Sequence, residues 1–178
     1  MNTISTGGAD VQKDARRPFR ILVLTEYFPT GESEGITGGV ESRAIHLLKE
    51  IAKKHHVTVI CSYQGKRQPR LSQVAGINVI RVGMRSPYSN SGNILTRLSY
   101  AGAALLTGMF IPKVQIVEGF SYLTYPIAAL IATFRGKPAI ATYHESWSFR
   151  EWHKLKGWWT GTLGAIWTRI ALSLPFKR

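Results

Sequence analysis

Five short apolar runs alternate along this chain with stretches of helical periodicity, and that alternation limits the fold more than any other feature. The runs are Ile21–Leu24, Val57–Cys61, Ile77–Val82, Val114–Glu118 and Ala139–Thr142. Each is rich in β-branched or small apolar residues and is bounded by Gly, Pro or charge, the pattern of strands covered on both faces. Helical spacing occupies roughly Gly39–Lys54, Asn93–Phe110 and Tyr122–Phe134, and a further helix is expected from near Thr160 to Leu174. Strands alternating with helices call for right-handed parallel crossovers. The expected fold is therefore α/β: a doubly wound, mostly parallel Rossmann-like sheet with helices on both faces. Gln64–Ala75 and Arg85–Gly92 read as polar connections without periodicity. Residues 1–17 are polar and of mixed charge and read as a disordered leader, with the folded domain spanning 18–178.

Chemistry concentrates where the first strand gives way to its helix. Leu24 is followed by Thr-Glu-Tyr-Phe-Pro, and the chain enters the helix through Thr37-Gly38-Gly39. Adjacent glycines at a helix N-terminus let backbone N–H groups approach a ligand, and the helix dipole there favours an anion such as phosphate. An open parallel sheet also binds its ligands at the carboxyl ends of its strands. Two common nucleotide fingerprints are missing. About a dozen residues separate Glu26 from Gly38, too many for Gly-x-Gly-x-x-Gly, and no P-loop sequence occurs. Thr37 also suits a plain N-cap, and Glu41 in the first helical turn complements the dipole without any ligand.

The order of these segments resembles the N-terminal domain of GT-B-fold retaining glycosyltransferases of family four. The resemblance is carried by the first strand, Glu26-Tyr-Phe-Pro29, Gly38-Gly-Val-Glu41 and the His56-Val-Thr-Val59 strand. It continues through Gly76–Arg81, Val114–Tyr122, Gly136–Glu145 and Leu174-Pro175, and covers roughly residues 18 to 176. It implies transfer of a hexose from a UDP- or GDP-sugar to a glycan or lipid-linked acceptor, with no tightly bound cofactor and no metal. On this resemblance Thr37, Gly38 and Gly39 form the donor-phosphate loop. His144, at the end of its strand, faces the reacting sugar as the catalytic candidate. Glu26, Tyr27, Glu118, Ser121, Tyr122 and Glu145 are candidates for acceptor binding. Family members often carry histidines at the positions aligned with Glu118 and Phe120, which this chain lacks; Ser121 also suits a helix cap. The resemblance further implies that Leu174-Pro175 precedes a last strand and a donor domain, so an acceptor-side half is expected, inactive until that domain is supplied in cis or in trans.

Composition narrows the alternatives. Five histidines (His46, His55, His56, His144, His153) form no metal signature, and no carboxylate pair at hydrolase spacing can be argued. The single cysteine, Cys61, lies in an apolar run and reads as a core residue. The longest uncharged apolar stretch, Leu98–Pro112, has 15 residues, short of the roughly 18 or more of a transmembrane helix. A cytoplasmic protein is expected, with a peripheral position at a membrane left open. The net charge is +13, with nine Lys or Arg and no acid from Ile51 to Val117, and five more after Glu151. Such a balance fits an anionic partner, either a phosphorylated substrate or an anionic membrane surface, or else a solvated basic face. A nucleic-acid binder ranks last, because recognition motifs are missing. All five Trp fall between Trp147 and Trp167 among cations, which suits either a membrane interface or packing against a neighbouring domain. The alternative to an enzyme half is a non-catalytic basic module holding an anionic ligand or membrane.

Overall fold

The structure, a computed structural model, describes residues 17–31, 36, 38–65, 67–85, 93–143, 148–174 and 176–177. A first strand β1 (Arg20–Leu24) leads to helix α1 (Gly39–Ala52) and strand β2 (His56–Ser62). A hairpin of β3 (Leu71–Val74) and β4 (Ile77–Val82) follows, then α2 (Ile94–Phe110), β5 (Ile116–Gly119), α3 (Thr124–Arg135), β6 (Ala139–Ala141) and α4 (Phe149–Ser173). The strands form a six-stranded sheet in the order β3-β4-β2-β1-β5-β6. All pairings are parallel except β3 with β4. Val23 is registered against Val59 on one side and Glu118 on the other, so β1 is, with β2, one of the two central strands.

The period-2 alternation of β1 divides the core into two layers. Ile21 and Val23 join Val57, Val59 and Val79 beneath Ala44, Ile45 and Leu48 of α1. Leu22 and Leu24 join Ile60, Val82 and Val117 on the opposite face, covered by Tyr100 and Ala104 of α2 and Ile127 and Ile131 of α3. Both faces are therefore dry, and the doubly wound expectation holds. Cys61 is fully buried in the α1 layer, where desolvation pushes its thiol up to about 12.

Helices α2 and α3 meet through a glycine. A Cβ at Gly108 would lie 2.4 Å from Ile131 Cδ1. The Arg135 guanidinium donates to the Gly108 and Met109 carbonyls, at 3.2 and 2.7 Å, satisfying the otherwise bare end of α2. Gly136 then stops α3 in the left-handed conformation, with Lys137 N–H donating back to Ala132 O.

Two elements depart from the sequence reading. The span Gln64–Ala75 holds an edge strand, β3, in place of an unstructured connection. Its turn is Ala75-Gly76, both at positive φ (49° and 80°), which suits a two-residue hairpin. Helix α4 begins at Phe149, well before Thr160. Ser148 starts it with a reciprocal capping box, its Oγ accepting from Glu151 N–H while the Glu151 carboxylate accepts from Ser148 N–H. The helix breaks at Gly157 (φ 76°, ψ 177°) into arms 149–156 and 158–173. The arms fold back on each other, since a Cβ at Gly161 or Gly164 would strike His153 or Trp152. Past α4 the chain returns to the sheet, where Lys177 N–H donates to Ala139 O.

Gly83 closes β4 at φ 85°, and a Cβ there would lie 2.9 Å from Tyr100 Cα, which is backbone and cannot yield. We expect Gly83→Ala to cost about 2 kcal/mol or more, read as a lowered urea midpoint. An unchanged midpoint would contradict the close approach of β4 and α2.

Candidate functional site

The parallel strands β1, β2, β4, β5 and β6 end together, and most of the candidate residues that are described gather there. Pairing of β1 with β2 runs past the strands themselves. Thr25 N–H donates to Ile60 O, and Ser62 donates to Glu26 O through both its N–H and its Oγ. The Tyr100 hydroxyl, buried beneath, donates to Thr25 O at 2.7 Å and lies 3.2 Å from Ile60 O. Burial holds this phenol well above its ordinary pKa of 10, so it stays protonated as the donor.

Glu26 and Tyr27 follow Thr25 just past β1 and are half-buried. The Glu26 carboxylate accepts from Arg97 Nε of α2 at 2.9 Å, an ion pair that spans the mouth of the sheet. Gly38 is the extended residue that opens α1, and the Glu41 carboxylate, itself buried, accepts its N–H at 3.0 Å. Gly38 has no side chain to return the bond, so only half of a capping box exists here. Glu41 thus already places negative charge on the helix N-terminus. Gly39 is different. Its φ is not one that requires glycine, and a Cβ there meets nothing within 4 Å. Neither strain nor packing among the described residues accounts for the missing side chain.

After β5 the chain makes a tight turn into α3. Ser121 is built into it: its N–H donates to Thr124 Oγ1, and its carbonyl accepts from Thr124 and Tyr125. Tyr122 accepts Trp167 Nε1 at its carbonyl and meets the rings of Tyr125, Tyr143 and Trp152 edge-on. Together with Phe176, which contacts Tyr125, these rings form an aromatic cluster beside the ends of β5 and β6. Sequence reasoning noted the tryptophans but not this cluster, whose members are far apart in the chain.

Glu118 lies one residue inside β5, not at its end, paired with Val23 and Ile140. It is buried, and its carboxylate accepts a short bond from Thr142 Oγ1. Desolvation raises its pKa above 4.5, opposed by the Thr142 bond. Thr37, His144 and Glu145 lie outside the described residues. Tyr143, directly before His144, belongs to the aromatic cluster. Among the described residues no group of three His, Cys, Asp or Glu is placed to hold a metal ion.

One residue of consequence escaped the sequence reading. Arg81 of β4 is fully buried. Its guanidinium donates to Pro29 O at 3.1 Å and to Ser72 Oγ at 2.6 Å, while Nε has no partner among the described residues. It ties the loop that leaves β1 to the β3–β4 hairpin. In sequence it is one basic residue in an apolar run, and only the tertiary pairing reveals that it points inward.

The raised pKa of Glu118 has a definite sign. The folded chain holds this proton more tightly than the unfolded chain, so the group's contribution to stability is complete below about pH 4.5 and is lost as pH rises through the folded value. Glu118→Gln keeps the acceptor for Thr142 and removes the charge. We expect the variant to gain stability on the wild-type chain as urea midpoints are followed from about pH 4 to about pH 8; parallel profiles would refute the burial cost.

Sucrose-phosphate synthase from Thermosynechococcus elongatus superposes with a TM-score of 0.54 at 14% identity, covering 71% of this chain and 33% of that one. The chain thus spans about a third of that structure's length. A second sucrose-phosphate synthase structure from the same organism gives a TM-score of 0.52 at 13% identity, covering 86% of this chain and 93% of that one. At such identities the likeness is one of fold, a Rossmann-like half of the GT-B type. A search of curated proteins finds no significant match. The sequence model of Glycosyltransferase Family 4, however, matches residues 37–175, from the glycine loop to the end of α4, and on that match the chain belongs to Glycosyltransferase Family 4.

Proposed function

We propose that this chain is the acceptor-binding half of a retaining glycosyltransferase that moves a hexose from a UDP- or GDP-sugar to a glycan or lipid-linked acceptor. Membership of the family supports a nucleotide-sugar donor and a hydroxyl acceptor in general terms. The observation that carries the finer reading is Gly39: a glycine at a helix N-terminus, beside the strand ends, with open space where a side chain would be.

The reaction needs a stabilised leaving group, an aimed acceptor and little water. As the C1–O bond to the diphosphate breaks, negative charge grows on the departing phosphate. Backbone N–H groups at the start of α1, with Thr37 beside them, would meet that charge without reorganising. Glu41 keeps Gly38 in place from behind. The acceptor oxygen bonds to C1 on the same face, and its proton passes to the departing phosphate oxygen. Glu26, Tyr27, Ser121, Tyr122 and Glu145 are proposed to position the acceptor, with His144 beside the reacting sugar. Glu118, buried and bonded to Thr142, would act only by holding the β5–β6 edge on which Tyr122 and His144 depend. Remaining donor contacts would come from a second domain, in cis or in trans. No cofactor beyond the donor and no metal enters this scheme.

The test is glycosyl transfer by the chain, alone and together with a donor-side domain of the same enzyme, over UDP- and GDP-sugars and a lipid-linked acceptor extract. Transfer is expected only in the combined form. His144→Ala should lower kcat by about a hundredfold or more. Gly39→Ala should leave the melting temperature unchanged or raised, because the new Cβ meets nothing, while weakening donor binding about tenfold, or roughly 1.4 kcal/mol. Unaltered donor binding in Gly39→Ala would remove the phosphate-loop assignment. No transfer in any combination would favour the non-catalytic basic module.

A further inference from the structure

The 158–173 arm of α4 carries its amphipathic pattern inside out. Its buried positions are Gly161, Ala165, Thr168 and Ala171, all small. Its large apolar side chains point to solvent: Trp159 is 81% exposed, Leu163 68%, and Ile166 and Ile170 49% each. The steps of four, three and four residues put these four on one helical stripe about 17 Å long. Trp158, 63% exposed, extends it at the Gly157 turn. A surface helix in water places such residues inward and small or polar ones outward.

The buried face explains why it must be small. The 149–156 arm lies so close that the Trp152 ring occupies the space of a Cβ on Gly164, with Trp152 Nε1 donating to Thr168 Oγ1. Trp167 is anchored too, through its bond to Tyr122 O. So the tryptophans divide. Trp152 and Trp167 fasten α4 to itself and to the domain, while Trp158 leans on the His153 ring and stays largely exposed, and Trp159 is more exposed still.

Charge identifies what covers the stripe. Helix α4 carries four Lys or Arg (Arg150, Lys154, Lys156 and Arg169) against one acid, Glu151, whose carboxylate caps the helix at Ser148 N–H. From Trp152 to Arg178 there are five Lys or Arg and no Asp or Glu. Arg169 is exposed and lies next to Ile166 of the stripe, and Lys154 is exposed on the 149–156 arm. A surface on which cations predominate complements a plane of negative charge, whereas complementarity to another protein normally draws on both signs. Among the described residues no helix is long and apolar enough to cross a membrane, so the arrangement suits lying on a bilayer and not spanning it. We propose that α4 docks on an anionic lipid bilayer, with Trp159, Leu163, Ile166 and Ile170 at the acyl boundary and the flanking cations among the headgroups. This inference stands apart from the glycosyl-transfer reading.

The experiment is vesicle co-sedimentation of the 178-residue chain, with phosphatidylcholine alone and with phosphatidylcholine mixed with phosphatidylglycerol. Tryptophan emission is followed in parallel with brominated lipids as shallow quenchers. The expected result is binding to the anionic vesicles with quenching. It should fall about tenfold or more in the double variant Leu163→Ser/Ile166→Ser, which leaves net charge and the buried face untouched. Three outcomes would overturn the proposal. One is no binding by the wild-type chain. Another is equal binding by the variant, which would mean that charge alone holds the protein. The third is a concentration-dependent dimer that the variant abolishes, without quenching in vesicles, which would make a second copy the occupant.

Discussion

The carboxyl end of this sheet depends on one buried hydroxyl. As β1 gives way to its loop, it loses the regular ladder on which buried backbone groups rely. Tyr100 reaches up from α2 and donates to Thr25 O, one residue beyond β1 and beside the last rung shared with β2. The bond requires α2 to pass against the end of β4, and Gly83 makes room for it. From that pinned point Glu26 turns toward Arg97 and Pro29 toward Arg81. The loop bound for α1 therefore leaves the sheet from a rigid platform.

Two buried charges then guard this loop from opposite sides. Glu41 holds its far end at Gly38, and Arg81 holds its near end at Pro29. Each is used as a strong hydrogen-bonding group to backbone. A buried guanidinium among neutral oxygens is costly by itself. Its presence makes sense as a means of fixing loop geometry where β-pairing has run out.

How much of this was legible in sequence follows from burial. The strands that could be read, such as Ile21–Leu24 and Val57–Cys61, are covered on both faces, so the requirement for apolar residues is written at every position. Strand β3 could not be read, because it is an edge: of its four residues only Val74 is buried and Leu71 is 67% exposed. The start of α4 was missed although Ser148 and Glu151 spelled a capping box, since Gly157 interrupts the periodicity that would have confirmed it. Of the candidate site, Glu26, Tyr27, Gly38, Gly39, Ser121 and Tyr122 fall at the same end of the sheet, which parallel topology alone ensures. That Glu118 is buried and that Arg81 turns inward depend on register and on neighbours distant in sequence, where local pattern is silent.

The lone cysteine makes the fold its own timekeeper. Cys61 sits in the α1 layer with no exposure and a thiol pushed up to about 12, so the reactive thiolate is almost unpopulated while the layer stays shut. A thiol reagent can reach it only when α1 lifts from β2 or the whole domain opens. With one thiol in the chain, the labelling rate reports openings of that layer, with no engineered cysteine and no background from a second site.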